Sequence, residues 1–347
     1  EVFIGVRRCS SLTGSFSNQI LVRMDVKSAL IAKDVKKHRP LTPIRVFRGL
    51  ICLFVMLSTA FTMIIYCGFP SAIVLRLLSI HYSRKLASFF FGAWLALWPF
   101  LFEKINKTKV VFCGETVPAK ERVLLIANHR TEVDWMYLWD FALRKGCHGY
   151  IKYILKSSLM KIPVFGWGFH IMEFISVERK WEIPKTPSGL LFSLKAPISL
   201  YDLTIGYKHR CPTFLDNVFG VDPSEVHIHV QRIPTVDMPT SEEKVTTWLM
   251  NKFQLKDKLL SDFYSQGHFP RQGTEAELST AKCLVNFMAV IALTITTTYF
   301  TFFSSIWFKV YVFLSCTYLG FATYFNVRPK PVLGLVKAMF SRKLSQH

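Results

Sequence analysis

The chain has 347 residues, enough for one or two domains with a substantial core; 51% of them are hydrophobic, including 31 Phe. Its formal net charge of +20 admits nucleic acid, an anionic membrane face or an anionic substrate as partners. The apolar residues are bunched into long uncharged runs, which excludes a soluble basic nucleic-acid-binding domain and leaves the other two, which can coexist.

Residues 1–42 contain no apolar run of the signal-peptide kind. Met24 is the first methionine and the stretch before it lacks periodicity, so residues 1–23 are expected to lie outside the native fold. Residues 24–48 form a basic arm with Lys33, Lys36, Lys37, Arg39, Arg45 and Arg48. Membrane helices are expected over 49–102. No charged residue lies between Arg48 and Arg76, a run long enough to cross a bilayer. A second run, Leu86 to Phe102, is shorter and contains Pro99; it reads as a re-entrant or interfacial helix, or a short span.

A polar middle follows over 103–281. Lys109–Cys113 and Val123–Ala127 read as strands, Trp135–Leu143 as an apolar helix, and Ile162–Gly166 as a Pro/Gly turn before the strand Glu173–Val177. Order is weak from Ile183 to Leu200. Strands return at Leu203–Tyr207 and Val226–Val230, with a helix from about Ser241 to Tyr264. Alternating elements at short spacing predict an α/β domain. Two further apolar runs, Cys283–Phe308 and Val310–Val327, make 282–327 a C-terminal pair of membrane helices, and Arg328, Lys330, Lys337, Arg342 and Lys343 make 328–347 a basic tail. Basic flanks at both ends predict cytoplasmic termini and an even number of crossings. The eight cysteines have neither disulfide nor zinc spacing and read as reduced structural thiols.

The chemistry concentrates at 126–135, IANHRTEVDW. His129 and Asp134 are five residues apart, so in one continuous helix they would not face each other. They meet if His129 ends a strand and Asp134 starts the following helix. A neutral histidine held by a carboxylate is then a general base for a hydroxyl, a device that contributes about 10²–10⁴-fold. Spacing alone leaves other readings open. A His–Asp hydrogen bond is often structural, and Thr131 and Asp134 have capping-box spacing. Arg130, Lys152, Lys156 and Arg179 are candidate cations for a phosphate. His227 and His229 alternate on one strand face without carboxylate or thiol partners nearby, and read as an exposed strand face rather than a metal site.

Asn128-His129-Arg130-Thr131-Glu132-Val133-Asp134 resembles the NH-x4-D box of glycerolipid acyltransferases. Phe174-Ile175-Ser176-Val177-Glu178-Arg179 resembles their second box. From about Met24 onward the chain is similar to the eukaryotic lysophosphatidate acyltransferases, the plant endoplasmic-reticulum branch especially. The resemblance implies a glycerolipid-acyltransferase-like α/β fold, a mixed sheet with flanking helices, plus N- and C-terminal membrane helices. It implies transfer of an acyl group from acyl-CoA to the sn-2 hydroxyl of 1-acyl-glycerol-3-phosphate. His129 would be the base and Asp134 its orienter, with Asn128, Arg130, Lys156 and Arg179 binding substrate. Acyl-CoA is then the co-substrate, lysophosphatidic acid and membrane lipids are the partners, and the location is the endoplasmic reticulum membrane, multi-pass. No metal or other cofactor is implied.

One departure stands out. The family's third box, a Phe-Pro-Glu-Gly-Thr run, is missing: Trp181-Glu182 passes almost directly into Ile183-Pro184-Lys185-Thr186, which resembles the start of the fourth. The domain is therefore expected to be shortened by an internal deletion near 181–201, leaving a variant of poor or no activity that at most binds lipid or partners. Phe269-Pro270-Arg271-Gln272-Gly273-Thr274 looks like the missing box but carries an extra residue, and is rejected as a replacement.

Overall fold

The computed structural model describes residues 2–8, 40–119, 121–177, 198–221, 225–234, 237–239 and 241–330. The chain divides into two units, the first formed by Glu1–Leu53, Trp98–Gly146 and Pro184–Thr280, the second by Phe54–Leu97, Cys147–Ile183 and Ala281–His347.

The elements in chain order are strand β1 (Val2–Arg8), helix α1 (Pro43–Thr62) and helix α2 (Ile80–Leu95). Strands β2 (Val110–Gly114) and β3 (Val123–His129) precede helix α3 (Asp134–Arg144). Then come β4 (Ile151–Lys156), α4 (Phe165–Ile171) and β5 (Ile175–Val177). After the undescribed stretch, β6 (Ser199–Tyr207), α5 (Phe214–Phe219), β7 (Val226–Ile233) and α6 (Glu242–Gln266) lead to α7 (Thr280–Phe303) and α8 (Ile306–Tyr324).

In the first unit the strands run in the order β2-β7-β6-β3-β1. β3 is parallel to both neighbours, with Val123 opposite Ser199 of β6 and opposite Val2 of β1. β6 and β7 are antiparallel, with Tyr207 opposite Val226, and β2 joins β7 in parallel. The sheet is mixed, as the α/β reading predicts. β3 is buried from Val123 to Asn128, which is why its sequence is a near-continuous apolar run rather than an alternation. β1 falls within residues 1–23, the segment that sequence periodicity places outside the fold, and it occupies the edge of β3 opposite β6.

α6 lies over β6. Its Lys256, 1% exposed, bonds to the carboxylate of Asp202 and to the carbonyls of Ile126 and Leu203 at 3.1 and 2.8 Å. Phe263 and Phe269 stack at 4.5 Å and form a core with Cys113 and Leu260. The expectation that His227 and His229 lie on an exposed face is overturned here. His227 is buried against the Phe263 ring and bonded to Glu225 at 3.1 Å, and His229 packs on Phe269. The third-box look-alike is part of this core. Gln272 bridges to Cys113 of β2, and Gly273, at φ +78°, donates its N–H to the Phe112 carbonyl.

In the second unit, β4 and β5 pair in parallel through Ile154 and Ile175. α2 packs on the turn His148–Tyr150 at glycines. A Cβ on Gly149 would lie 2.0 Å from the Ser88 carbonyl oxygen, so no other residue fits there. The Pro/Gly turn forms at Pro163–Phe165, where Val164 has φ +65° and Phe165 N–H bonds Pro163 O at 2.7 Å, a γ-turn.

Among the described residues, four helices are long and apolar enough to cross a membrane: Pro43–Leu78, Ile80–Ile105, Thr280–Phe303 and Ile306–Tyr324. The second covers the borderline run around Pro99 and turns into a π-helix at Phe100–Ile105. Between helices of the second unit, Tyr311 donates to the Ile65 carbonyl at 2.8 Å and Asn286 to that of Ala93 at 2.9 Å, polar ties of the kind that join helices in lipid.

Candidate active site

β3 ends at His129, and three residues that are neither strand nor helix carry the chain to Val133, which caps α3. This turn lets positions 129 and 134 meet. His129 Nδ1 lies 2.8 Å from Asp134 Oδ2, with the imidazole 30% exposed and the carboxylate 2% exposed. The same Oδ2 accepts the backbone N–H groups of Arg130 at 2.6 Å and Thr131 at 3.0 Å. Oδ1 accepts the Tyr207 hydroxyl at 2.5 Å. Four donors therefore surround a buried carboxylate, which meets the requirement that buried charge be fully hydrogen-bonded. Complete burial and the adjacent Asp134 push the Tyr207 phenol well above its usual pKa, so it remains a donor.

The capping-box reading forms only in part. Asp134 receives the Thr131 N–H, but the Thr131 hydroxyl turns away to the Pro212 carbonyl at 2.7 Å. Asp134 is thus a turn-closing residue and the partner of His129 at once. Since its bond fixes Nδ1–H toward the carboxylate, the lone pair of His129 falls on Nε2, the nitrogen left to accept a proton.

Among the other predicted site residues, Asn128 is fully buried, and its side chain bonds Ile205 of β6 in both directions, at 3.0 Å to the carbonyl and 2.7 Å from the N–H. It ties β3 to β6 one residue before the histidine. Arg130 is exposed at the turn, with its guanidinium 5.3 Å from the Tyr264 ring centre. Lys156 ends β4 in the second unit and is exposed. Arg179 lies outside the described residues, as does most of the expected gap near 181–201, whose last residues open β6. Sequence reasoning missed Tyr207 as a partner of Asp134; it lies 73 residues away, and only its place at the end of an apolar strand hinted at it.

Among the described residues no group of three or more His, Cys, Asp or Glu is arranged to hold a metal. A 470 Å³ cavity beside α6 is lined by Asp202, Thr204, His229, Lys252, Lys258 and Arg271, among others, and by none of the predicted site residues.

Residues 109–190 match the family described as Acyltransferase, and residues 217–290 that described as Acyltransferase C-terminus. The mixed sheet, the His–Asp pair at its strand end and the apolar helices thus define an acyltransferase that is a membrane protein. The chain is 53% identical to probable 1-acyl-sn-glycerol-3-phosphate acyltransferase 5 of Arabidopsis thaliana, over 88% of this chain and 97% of that one. It is 29% identical to lysocardiolipin acyltransferase 1 of Mus musculus, over 58% of this chain and 70% of the mouse protein. A third relative, lysophosphatidylinositol acyltransferase 10 of Caenorhabditis elegans, is 24% identical over 63% and 71%. No solved structure matches. The chain belongs to the 1-acyl-sn-glycerol-3-phosphate acyltransferase family. The alignment with the Arabidopsis relative spans 364 residues, more than the 347 of this chain, so the relative carries residues that this chain lacks.

Proposed function

We propose that the protein transfers an acyl group from acyl-CoA to the sn-2 hydroxyl of 1-acyl-glycerol-3-phosphate, giving phosphatidic acid, at the endoplasmic reticulum membrane. The observation that carries this reading is His129 held by a buried, four-fold hydrogen-bonded Asp134. Nε2 of His129 takes the hydroxyl proton as that oxygen attacks the thioester carbonyl. The tetrahedral centre collapses, the C–S bond breaks, and the proton passes to the departing CoA sulfur. No covalent enzyme intermediate and no redox or metal cofactor enters this scheme, because the thioester supplies the driving force. In this scheme Arg130, Lys156 and Arg179 offer positive charge to the substrate phosphate, and Asn128 aligns the strand that carries the base.

A second reading is favoured by the missing third box and by the longer relative: a chain that binds lysophospholipid but turns it over poorly. One assay separates the two. Membranes carrying the purified chain are given lysophosphatidate and oleoyl-CoA, alongside a His129→Ala form and a chain into which the relative's segment is grafted between Trp181 and Tyr201. Turnover lost in His129→Ala and raised by the graft is the expected result. Turnover unchanged by His129→Ala overturns the catalytic reading. Substrate binding with no turnover, restored by the graft, selects the second.

A further inference from the structure

The second unit contains an unusual concentration of guanidinium groups around one acid. Arg76 donates from Nη1 to Glu173 Oε1 at 2.6 Å and from Nε to the Pro329 carbonyl at 3.0 Å. Arg84 grips Glu173 Oε2 with Nε at 3.0 Å and Nη2 at 2.7 Å. Arg328, half-buried beside them, has a buried Nε with no hydrogen-bond partner among the described residues. Burial would raise the Glu173 carboxyl, but the bonds from Arg84 and Arg76 hold it below its ordinary pKa, so it stays an anion. Beneath it, burial and the charges of Arg328 and Arg76 keep His170 neutral, although the imidazole also meets the Val327 carbonyl at 3.1 Å.

Among the described residues, three cations thus face one carboxylate. Arg76 and Glu173 are only 14% and 12% exposed, so water does little to relieve the imbalance. The sequence after Lys330 adds Lys337, Arg342 and Lys343 but no Asp or Glu. An unsatisfied guanidinium nitrogen in a surplus of positive charge calls for an anion with several oxygens, and phosphate matches the guanidinium fork best.

The surroundings say where that phosphate comes from. Arg76 lies in the last turn of the apolar helix Pro43–Leu78, Arg84 in the first turns of Ile80–Ile105, and Arg328 just beyond Ile306–Tyr324. Val74, Leu78, Tyr82, Tyr324 and Phe325 are exposed around them. Apolar side chains with tyrosines at helix ends mark the depth of lipid head groups.

We propose that Arg76, Arg84 and Arg328 form a binding site for the head-group phosphate of an anionic membrane phospholipid, with Glu173 holding the arginines apart. None of the three belongs to the residues assigned to acyl transfer.

The test uses the full chain in neutral phosphatidylcholine nanodiscs. Phosphatidylglycerol, neither substrate nor product of the proposed reaction, is titrated in while bound lipid is counted by native mass spectrometry. A parallel series adds inorganic phosphate. Arg84→Gln and Arg328→Gln, singly and together, are expected to weaken phosphatidylglycerol binding on the order of tenfold or more, and inorganic phosphate to bind negligibly. Because Arg84 is 52% exposed, its substitution leaves the fold intact. Glu173→Gln removes the internal anion and is expected to tighten phosphatidylglycerol binding. Binding unchanged in the double variant overturns the site. Inorganic phosphate competing at matched concentration overturns the lipid as its occupant.

Discussion

Asp134 carries more of the site than its partner does. His129 is partly exposed and makes one bond to it, whereas Asp134 is buried and accepts from His129, two backbone N–H groups and Tyr207. Substituting it therefore disturbs the turn, the imidazole orientation and the Tyr207 hydroxyl together. Asp134→Asn replaces one acceptor oxygen by a donor, so His129 loses the partner that places its lone pair on Nε2, and turnover is expected to fall about 10²–10⁴-fold. Tyr207→Phe is milder. It removes one charge-assisted bond, worth about 1.5–3 kcal/mol, and leaves the other three. The expected result is a kcat roughly tenfold or more lower with KM nearly unchanged, since Tyr207 acts through Asp134 rather than on substrate; equal losses in both would contradict this assignment. The dyad was legible in the sequence because its residues are five apart and one turn joins them. Tyr207 was not, because a contact across 73 residues depends on β6 lying beside β3.

Elements whose residues carry their own signal were readable, and those made by distant packing were not. The apolar run Val123–Ala127 and the helix Trp135–Leu143 recur as Val123–His129 and Asp134–Arg144, and the helix from Ser241 recurs as Glu242–Gln266. β1 gave no periodic signal. It is defined by parallel pairing to a strand more than a hundred residues later, and the sequence alone placed it outside the fold. His227 alternates like a surface residue, and only α6 with Phe263 and Phe269 buries it. The crossing of α2 over His148–Tyr150 is another such contact, and two outcomes follow from it. Gly149→Ala would press a methyl group on the Ser88 carbonyl and is expected to cost about 1–3 kcal/mol, read as a lower melting temperature in lipid micelles. Burial pushes the His148 imidazole down to about 4. A histidine depressed in the folded state is protonated first in the unfolded chain, so its contribution is complete above about pH 6.5 and lost as pH falls toward 4, by on the order of 3 kcal/mol. Denaturant melts at pH 7 and pH 4.5 should differ less in His148→Gln than in the parent; an identical difference would sink the assignment.

For the whole chain the decisive geometry is the 3.0 Å bond from Arg76 to the Pro329 carbonyl. If all four apolar helices crossed the bilayer in turn, the first would end on the face opposite its start, and the fourth would end on the face where the first began. Arg76 ends the first helix and Pro329 follows the fourth, so they would be separated by a hydrocarbon layer about 30 Å thick. A hydrogen bond cannot bridge that distance, and Glu173, from the polar stretch between β4 and β5, bonds Arg76 and Arg84 at the same point. The expected arrangement is therefore that Pro43–Leu78 and Ile80–Ile105 enter and leave by one face as a re-entrant pair, while Thr280–Phe303 and Ile306–Tyr324 cross. Two crossings, like four, would be compatible with the even number expected from the basic flanks. The C-terminal pair is suited to that role, because only 11% and 17% of their most apolar windows are buried within the protein, against 39% and 61% for the first two helices. Single cysteines placed at Ser79, Ser305 and Lys330 in a cysteine-free background report this directly. In sealed microsomes, a membrane-impermeant maleimide added outside should label positions 79 and 330 equally and reach position 305 only after the vesicles are opened; labelling of 79 together with 305 would restore four crossings.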